Sequence, residues 1–355
     1  MSLAFEDLST QSAPWLSAEG DLADNVISSR IRLARNLARV PYPSVASDQQ
    51  QAEVIDVIND AAASTSLKGG AFFRSRDLDT TDRQLLVERH LTSPDFMRDD
   101  VDLGVYVAPR ESVSVTVNEE DHLRIQALGS GLSLEDAWKR AGAVDESLDE
   151  HLTFDFDREF GYLTACPTNV GTGLRASVLV HLPALVLTRE IDSYLNRLGK
   201  LGFVARGFYG EGTDVQGNLF QVSNQTTLGP SEAEIVHGLE NVVRQLIDQE
   251  RDAEKTMARD APRELEDRIW RAYAIITHAR LLNSSEMMNL LSAVRLGIGL
   301  GMLPPVDQAT LNELLILTQP AHLQKAGGGD LSTEDRDARR AELFREKLAP
   351  YEGKA

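Results

Sequence analysis

Lysine is scarce in this chain: seven of the 36 basic residues are lysines, at 68, 139, 200, 255, 325, 347 and 354, and the other 29 are arginines. Against them stand 55 acidic residues and a formal net charge of −19. No basic footprint is left on which a phosphodiester backbone would bind, so nucleic acid is not expected as a partner. Cysteine is scarcer still. Cys166 stands alone, which excludes a disulfide framework; with no Cys/His cluster at zinc spacing, it points to a reducing, cytoplasmic compartment. No uninterrupted apolar run approaches membrane-spanning length, and Met1 to Asp24 lacks the basic-then-apolar order of a signal peptide. A soluble, unexported protein without a membrane partner is expected. The common nucleotide signatures are missing too: there is no GxxxxGK[ST], no GxGxxG after a strand, and no HRD or DFG set.

What remains suffices for a sizeable core, since 42% of 355 residues are hydrophobic. From Asp24 to about Gly229 the pattern is strand-rich, with candidate strands at 104–108, 113–117, 162–165, 178–180, 203–205 and 218–223. Helical periodicity interrupts them at 47–66, 133–140 and 188–198. Ser231 followed by Glu234 forms the signature of a capping box and predicts a helix to about Lys255. Beyond the charged stretch 252–263 the periodicity is helical only, at 264–282, 284–296 and 307–317. After Gly327-Gly328-Gly329-Asp330 comes a charged helix from Ser332 to Leu348, with Ser332 or Thr333 as its cap. The expected organisation is α+β: an N-terminal segment 1–23, a catalytic domain 24–255 with a sheet flanked by helices, and an all-helical C-terminal domain 260–355. Met287, Met288 and Leu291 would serve either a homodimer surface or an internal core.

Four segments carry chemistry. Arg30 and Arg32 stand two apart, so in an extended strand both guanidinium groups leave the same face, an arrangement suited to a polyphosphate. Glu119, Glu120 and Asp121 follow a strand and lead to Arg124. Cys166, Thr168, Asn169 and Arg175 lie in the connection between two apolar runs, with a glycine-rich turn that ends on Arg175. Arg206 and Glu211 flank another glycine-rich loop, which permits close approach of a ligand to the backbone. The bland alternatives are a solvated basic strand, a solvated acidic turn and a small buried thiol. Taken together, five arginines, two or more carboxylates and a thiol match phosphoryl transfer to a cationic nitrogen, in which arginines hold the phosphates and a carboxylate grips the guanidinium and takes its proton.

The motifs Ser28-Ser29-Arg30-Ile31-Arg32-Leu33-Ala34-Arg35-Asn36, Asn118-Glu119-Glu120-Asp121-His122-Leu123-Arg124, Cys166 to Ser177 and Arg206 to Gly212 resemble the catalytic domain of the phosphagen (guanidino) kinases. The resemblance is closest to the bacterial protein-arginine kinases of the McsB type and covers nearly the whole chain. It implies a mainly antiparallel sheet and ATP as substrate with Mg²⁺, held through phosphate rather than by a protein metal site. It further implies an ATP site built from Ser28, Ser29, Arg30, Ile31, Arg32, His90, Arg124, Arg175, Ala176, Ser177, Val178, Leu179, Arg206, Gly207, Phe208, Tyr209 and Gly210. Glu120 and Glu211 match the family's guanidinium-binding acids, and Cys166 its active-site cysteine, which lies against the guanidinium.

Metabolite-specific members carry a helical domain before the Ser-x-Arg-x-Arg motif, whereas 27 residues precede Ser28 here. An arginine side chain on another protein is therefore the expected acceptor. A kinase for a small free guanidine and a non-catalytic phosphoarginine-binding adaptor are the alternatives. Arg336-Asp337-Ala338-Arg339-Arg340-Ala341 matches the family's RDxxRA motif, associated with phosphoarginine recognition; its bland reading is a solvated charged helix. An activator protein, a Clp ATPase and a stress-response setting are implied in the same way. His151, His181, His237, His278 and His322 lack partners at ligand spacing and are read as structural.

Overall fold

The computed structural model describes residues 8, 11–65, 67–207 and 216–351. Strand β1 (Val26–Arg35) leads to α1 (Asp48–Ala63), which Ser47 and Gln50 close with a capping box. Then come β2 (Ala71–Arg74), α2 (Thr80–Glu88), β3 (Gly104–Val107), β4 (Val113–Val117) and β5 (Leu123–Ser130). Helix α3 (Leu134–Asp149) is longer than the expected 133–140, because Ala141, Val144 and Leu148 continue its buried stripe. The short hairpin of β6 (Phe156–Asp157) and β7 (Gly161–Tyr162) precedes β8 (Leu174–His181), α4 (Pro183–Leu187), α5 (Ile191–Lys200), β9 (Phe203–Gly207) and β10 (Leu219–Asn224).

The remaining described chain is helical: α6 (Glu232–Asp260), α7 (Pro262–His278), α8 (Ser284–Gly299), α9 (Gln308–Leu317), α10 (Pro320–Ala326) and α11 (Thr333–Leu348). The capping box of Ser231 with Glu234 forms as its spacing predicts, and Ser332 caps α11.

Eight strands make one sheet in the order β2-β3-β4-β5-β1-β8-β10-β9, with every pairing antiparallel. Alternation along the central strands gives the sheet two unlike faces. Ile31, Leu33, Ile125, Ala127, Ala176, Val178, Val180 and Val222 turn to one side and are buried in a core that includes Val54, Ile58, Val144, Val236 and Val243 from α1, α3 and α6. The other side carries arginines over its middle. At the Ile27, Leu179 and Leu219 end it is apolar and joins a second core with Trp15, Ile269, Met287, Met288, Leu291 and Phe344. Those two methionines and Leu291 are 0–3% exposed, so they are core and form no surface for a second subunit.

Two sequence expectations shift here. Arg175 belongs to β8 and not to the turn before it. The expected strand 162–165 is reduced to Gly161–Tyr162, because Tyr162 pairs with Gly171 across the loop and Ala165 N is drawn to the Asp121 carboxylate at 2.7 Å.

Candidate active site

A cleft of about 840 Å³ opens over the arginine-bearing face. The strand register sets its floor: Arg32 pairs with Arg175 on β8, Arg30 with Ser177, and Arg124 comes from β5 on the other side of β1. On β10, Gln221 lies opposite Arg206 of β9. All five expected arginines line this one cleft, with His90, Glu119, Glu120, Gln126, Gln221 and Ser223. Arg30 Nε donates to Ser177 Oγ at 3.2 Å. Among the described residues, the buried Nε of Arg32 has no hydrogen-bond partner. Burial, with Arg124 and Arg175 nearby, lowers Arg30 to about 10. Burial and the same neighbours, Arg30 now among them, push Arg32 well below its ordinary value. A floor on which guanidinium groups oppose one another's charge is a site that a polyanion relieves. Burial and Arg30 also lower His90 to about 3, so its ring is neutral.

The acid run divides its labour. Glu119 is buried and orients Arg124, with Oε2 at 2.5 Å from Nη1, while it accepts from Ser93 Oγ at 2.7 Å and from Thr116 Oγ1 at 3.2 Å. Asp121, also buried, accepts from Asn36 Nδ2 at 2.6 Å and from Ala165 N at 2.7 Å, and so holds the chain leading to Cys166. Glu120 is the open one of the three, 42% exposed in the cleft, with Arg124 Nη2 at 3.9 Å and Asn169 Nδ2 at 3.5 Å. Desolvation first, then Asp121, raises its pKa, against the lowering by Arg124 and by a hydrogen bond with Cys166. That direction suits a group that accepts a proton during transfer.

Cys166 is half-buried, with Sγ 2.9 Å from Thr168 Oγ1. Its loop closes where Tyr162 and Gly171 exchange backbone hydrogen bonds. Gly171 is required there: φ is +115°, and a Cβ would sit 2.3 Å from Thr227 O. Buried Arg35 braces both ends of the loop, donating from Nη1 to Thr172 O at 3.0 Å and lying 3.5 Å over the Tyr162 ring, while Asp145 neutralises it.

Some expected residues do not reach the cleft with their side chains. Ser29, Ile31, Ala176 and Val178 fall on the opposite face by strand alternation; Ser29 Oγ donates to Gly131 O at 2.8 Å, and the other three are core. Ser28, Ser177 and Leu179 line a narrow extension of about 20 Å³ beside Arg30 and His90. Gly207 ends β9 and is buried. Phe208, Tyr209, Gly210 and Glu211 lie outside the described residues. Gln126, Gln221 and Ser223 carry no motif in the sequence, and Glu119 enters there only as part of the acid run, without a role of its own. Period-two counting from Arg124 would have found Gln126, whereas the role of Glu119 needed the position of Ser93.

The Arg336–Ala341 motif is separate from the cleft lining. Arg340 is 1% exposed and donates to Thr318 O at 3.0 Å and Leu282 O at 2.6 Å, with Asp337 Oδ1 at 2.5 Å. Arg336 donates to Leu331 O at 3.1 Å, Arg339 pairs with Glu342 at 2.5 Å, and Ala341 is core; Ala338 is half-buried. Among the described residues no His, Cys, Asp or Glu cluster has the geometry of a metal site, and no helix is long and apolar enough to cross a membrane.

Residues 52–253 match the model of the ATP:guanido phosphotransferase C-terminal catalytic domain, and residues 262–355 that of the protein-arginine kinase McsB C-terminal domain. The protein-arginine kinase of Symbiobacterium thermophilum is 47% identical over 348 residues, which cover 97% of this chain and 99% of that one. Its counterpart from Bacillus subtilis is 45% identical over 337 residues, 94% and 93% of the two chains. Among solved structures, lombricine kinase aligns over 71% of both chains at a TM-score of 0.60 and 28% identity. The duplicated taurocyamine kinase from Schistosoma mansoni with bound transition-state-analogue components aligns at a TM-score of 0.60 and 25% identity, over 79% of this chain and 41% of that one.

Proposed function

The chain belongs to the ATP:guanido phosphotransferase family, a family of kinases, and on that premise we propose that its acceptor is the arginine side chain of a protein. The γ-phosphoryl group of ATP passes to a guanidinium nitrogen. A P–N bond forms as the bond to the bridging oxygen of ADP breaks, and the proton lost by the nitrogen goes to the Glu120 carboxylate and then to water. Arg30, Arg32, Arg124, Arg175 and Arg206 hold the phosphates. Mg²⁺ enters with ATP on phosphate oxygens. Glu120 grips the guanidinium beside Cys166, and Glu119 acts through Arg124.

The observation that carries this reading is the single cleft in which five arginines face Glu120 and the Cys166 loop. For a protein acceptor, the support is likeness over nearly the full length to relatives named protein-arginine kinases. The same reading takes a cytoplasmic setting, an activator protein and a Clp ATPase as partners, with phosphoarginine marking clients for degradation under stress and Arg336–Ala341 as a phosphoarginine site.

The test is intact-mass and phosphosite analysis of an arginine-rich protein incubated with the chain, ATP and Mg²⁺, kept from acid because the P–N bond is acid-labile. Phosphate on arginine, absent with Glu120→Ala, is the expected outcome. Turnover with free arginine and no phosphate on protein would move the acceptor to a small guanidine.

A further inference from the structure

Glu88 is the last residue of α2 and 2% exposed. A carboxylate there opposes the negative end of its own helix. Its partners lie more than 200 residues away in sequence: Ala321 N donates to Oε1 at 2.9 Å, and His322 N and His322 Nδ1 donate to Oε2 at 3.2 Å and 2.8 Å. These groups form the first turn of α10. The charge disfavoured at the end of one helix thus caps another that presents its positive end. Burial outweighs Glu88 and keeps His322 below its ordinary pKa, so the neutral ring donates from Nδ1.

Around this contact α10 is held on α2. Ala321 is buried with Leu85, Leu86, Leu91 and Phe96, and Lys325 pairs with Asp82. The chain entering α10 is tied to α11 by Arg340 on Thr318 O.

Two residues beyond Glu88 is His90, in the cleft. Arg89 between them is buried, paired with Glu111 and donating to Gln11 O at 3.0 Å. His90 has φ +59°, a conformation that its surroundings must impose, and its carbonyl accepts from Gln126 Nε2 at 2.5 Å. Glu88, Arg89 and His90 are thus each fixed by long-range contacts, and the turn that joins α2 to the cleft is one continuous packed segment.

We infer that Glu88 is a positioning residue for the nucleotide end of the cleft: by gripping α10, it makes the ATP-binding geometry at His90 depend on the C-terminal helices. This rests on the assignment of the cleft to ATP.

Glu88→Gln keeps the shape and turns one acceptor into a donor facing Ala321 or His322. On the full chain, the dissociation constant for ATP should rise roughly 2- to 30-fold and KM for ATP with it, while kcat stays within about twofold. Amide exchange over 320–326 should quicken. Unchanged ATP affinity alongside quickened exchange overturns the inference. If Glu88→Gln does not fold, His322→Ala removes one donor from the other side; a smaller shift in the same direction is expected, and unchanged affinity again overturns it. Arg124→Ala tests the underlying assignment. If it leaves ATP affinity intact, the cleft is not the nucleotide site and both readings fall. If it abolishes affinity while neither Glu88→Gln nor His322→Ala alters it, the inference about Glu88 alone falls.

Discussion

Arg30 and Arg32 stand two apart on a strand, Arg336 and Arg340 four apart on a helix, and in each case the spacing places the pair on one face. The first pair opens onto a cleft where burial, and then neighbouring guanidinium groups, lower the pKa of both arginines, and Arg32 Nε has no partner among the described residues. In the second pair, Arg340 donates to Thr318 and Leu282 carbonyls and meets Asp337. Spacing therefore says which residues travel together; it does not say whether their donors are free. The physical test is satisfaction: an arginine whose donors are met by the chain holds the fold and must release a partner before it takes an anion, while one kept among like charges awaits an anion.

Substitutions should separate the two cases. Arg32→Ala should lower phosphoryl transfer by about 10³-fold, the scale of losing a transition-state arginine, while thermal stability holds or rises because a desolvated charge is removed. Initial rates and a melting curve measure both, and a marked loss of stability would place Arg32 in the structural class. Glu120→Ala should cost about 10²-fold or more in transfer and spare ATP affinity by calorimetry; a normal rate would remove Glu120 from the chemistry.

Arg340→Ala should cost about 3 kcal/mol of stability by leaving Asp337 and two carbonyls unpaired, against about 0.5 kcal/mol or less for Arg336→Ala. Equal effects in chemical denaturation would show that the partners of Arg340 do not hold the fold.

The smallest effects concern pH. His90, lowered to about 3, stays neutral from pH 5 to 8, so its titration should give ATP affinity no pH dependence over that range. Its unfolded form binds a proton near pH 6.5 and its folded form does not. Its share of stability is therefore present above that pH and is lost as pH falls toward 3. His90→Asn should flatten that slope. Glu120, raised by desolvation, should put the acid limb of the rate profile above the ordinary carboxylate range, and a limb near pH 4 would contradict its role.

Local signals in the sequence were read correctly because local chemistry decided them. The Ser231–Glu234 capping box, the Ser332 cap and the shared face of Arg30 and Arg32 depend on residues within a few positions of one another. The family resemblance carried whole motifs into the ATP site, whereas strand alternation divides them: the side chains of Ile31, Ala176 and Val178 accompany site residues in sequence but belong to the core on the opposite face. It also passed over Leu123–Ser130 as a strand, since the acid run before it resembled a turn.

The sequence by itself determined the class of chemistry, the five arginines and the α+β order, because periodicity, capping and residue type act locally. Only the tertiary structure gave the physical reason why Glu120, the acid that the family motif singles out, is the one left open: Ser93 claims Glu119, and Asn36 and Ala165 claim Asp121. It alone brought Glu88 to Ala321 and His322, across a separation that no local pattern encodes. Long-range hydrogen bonds satisfy buried charge wherever the fold offers donors, and that offer exists only once the chain is packed.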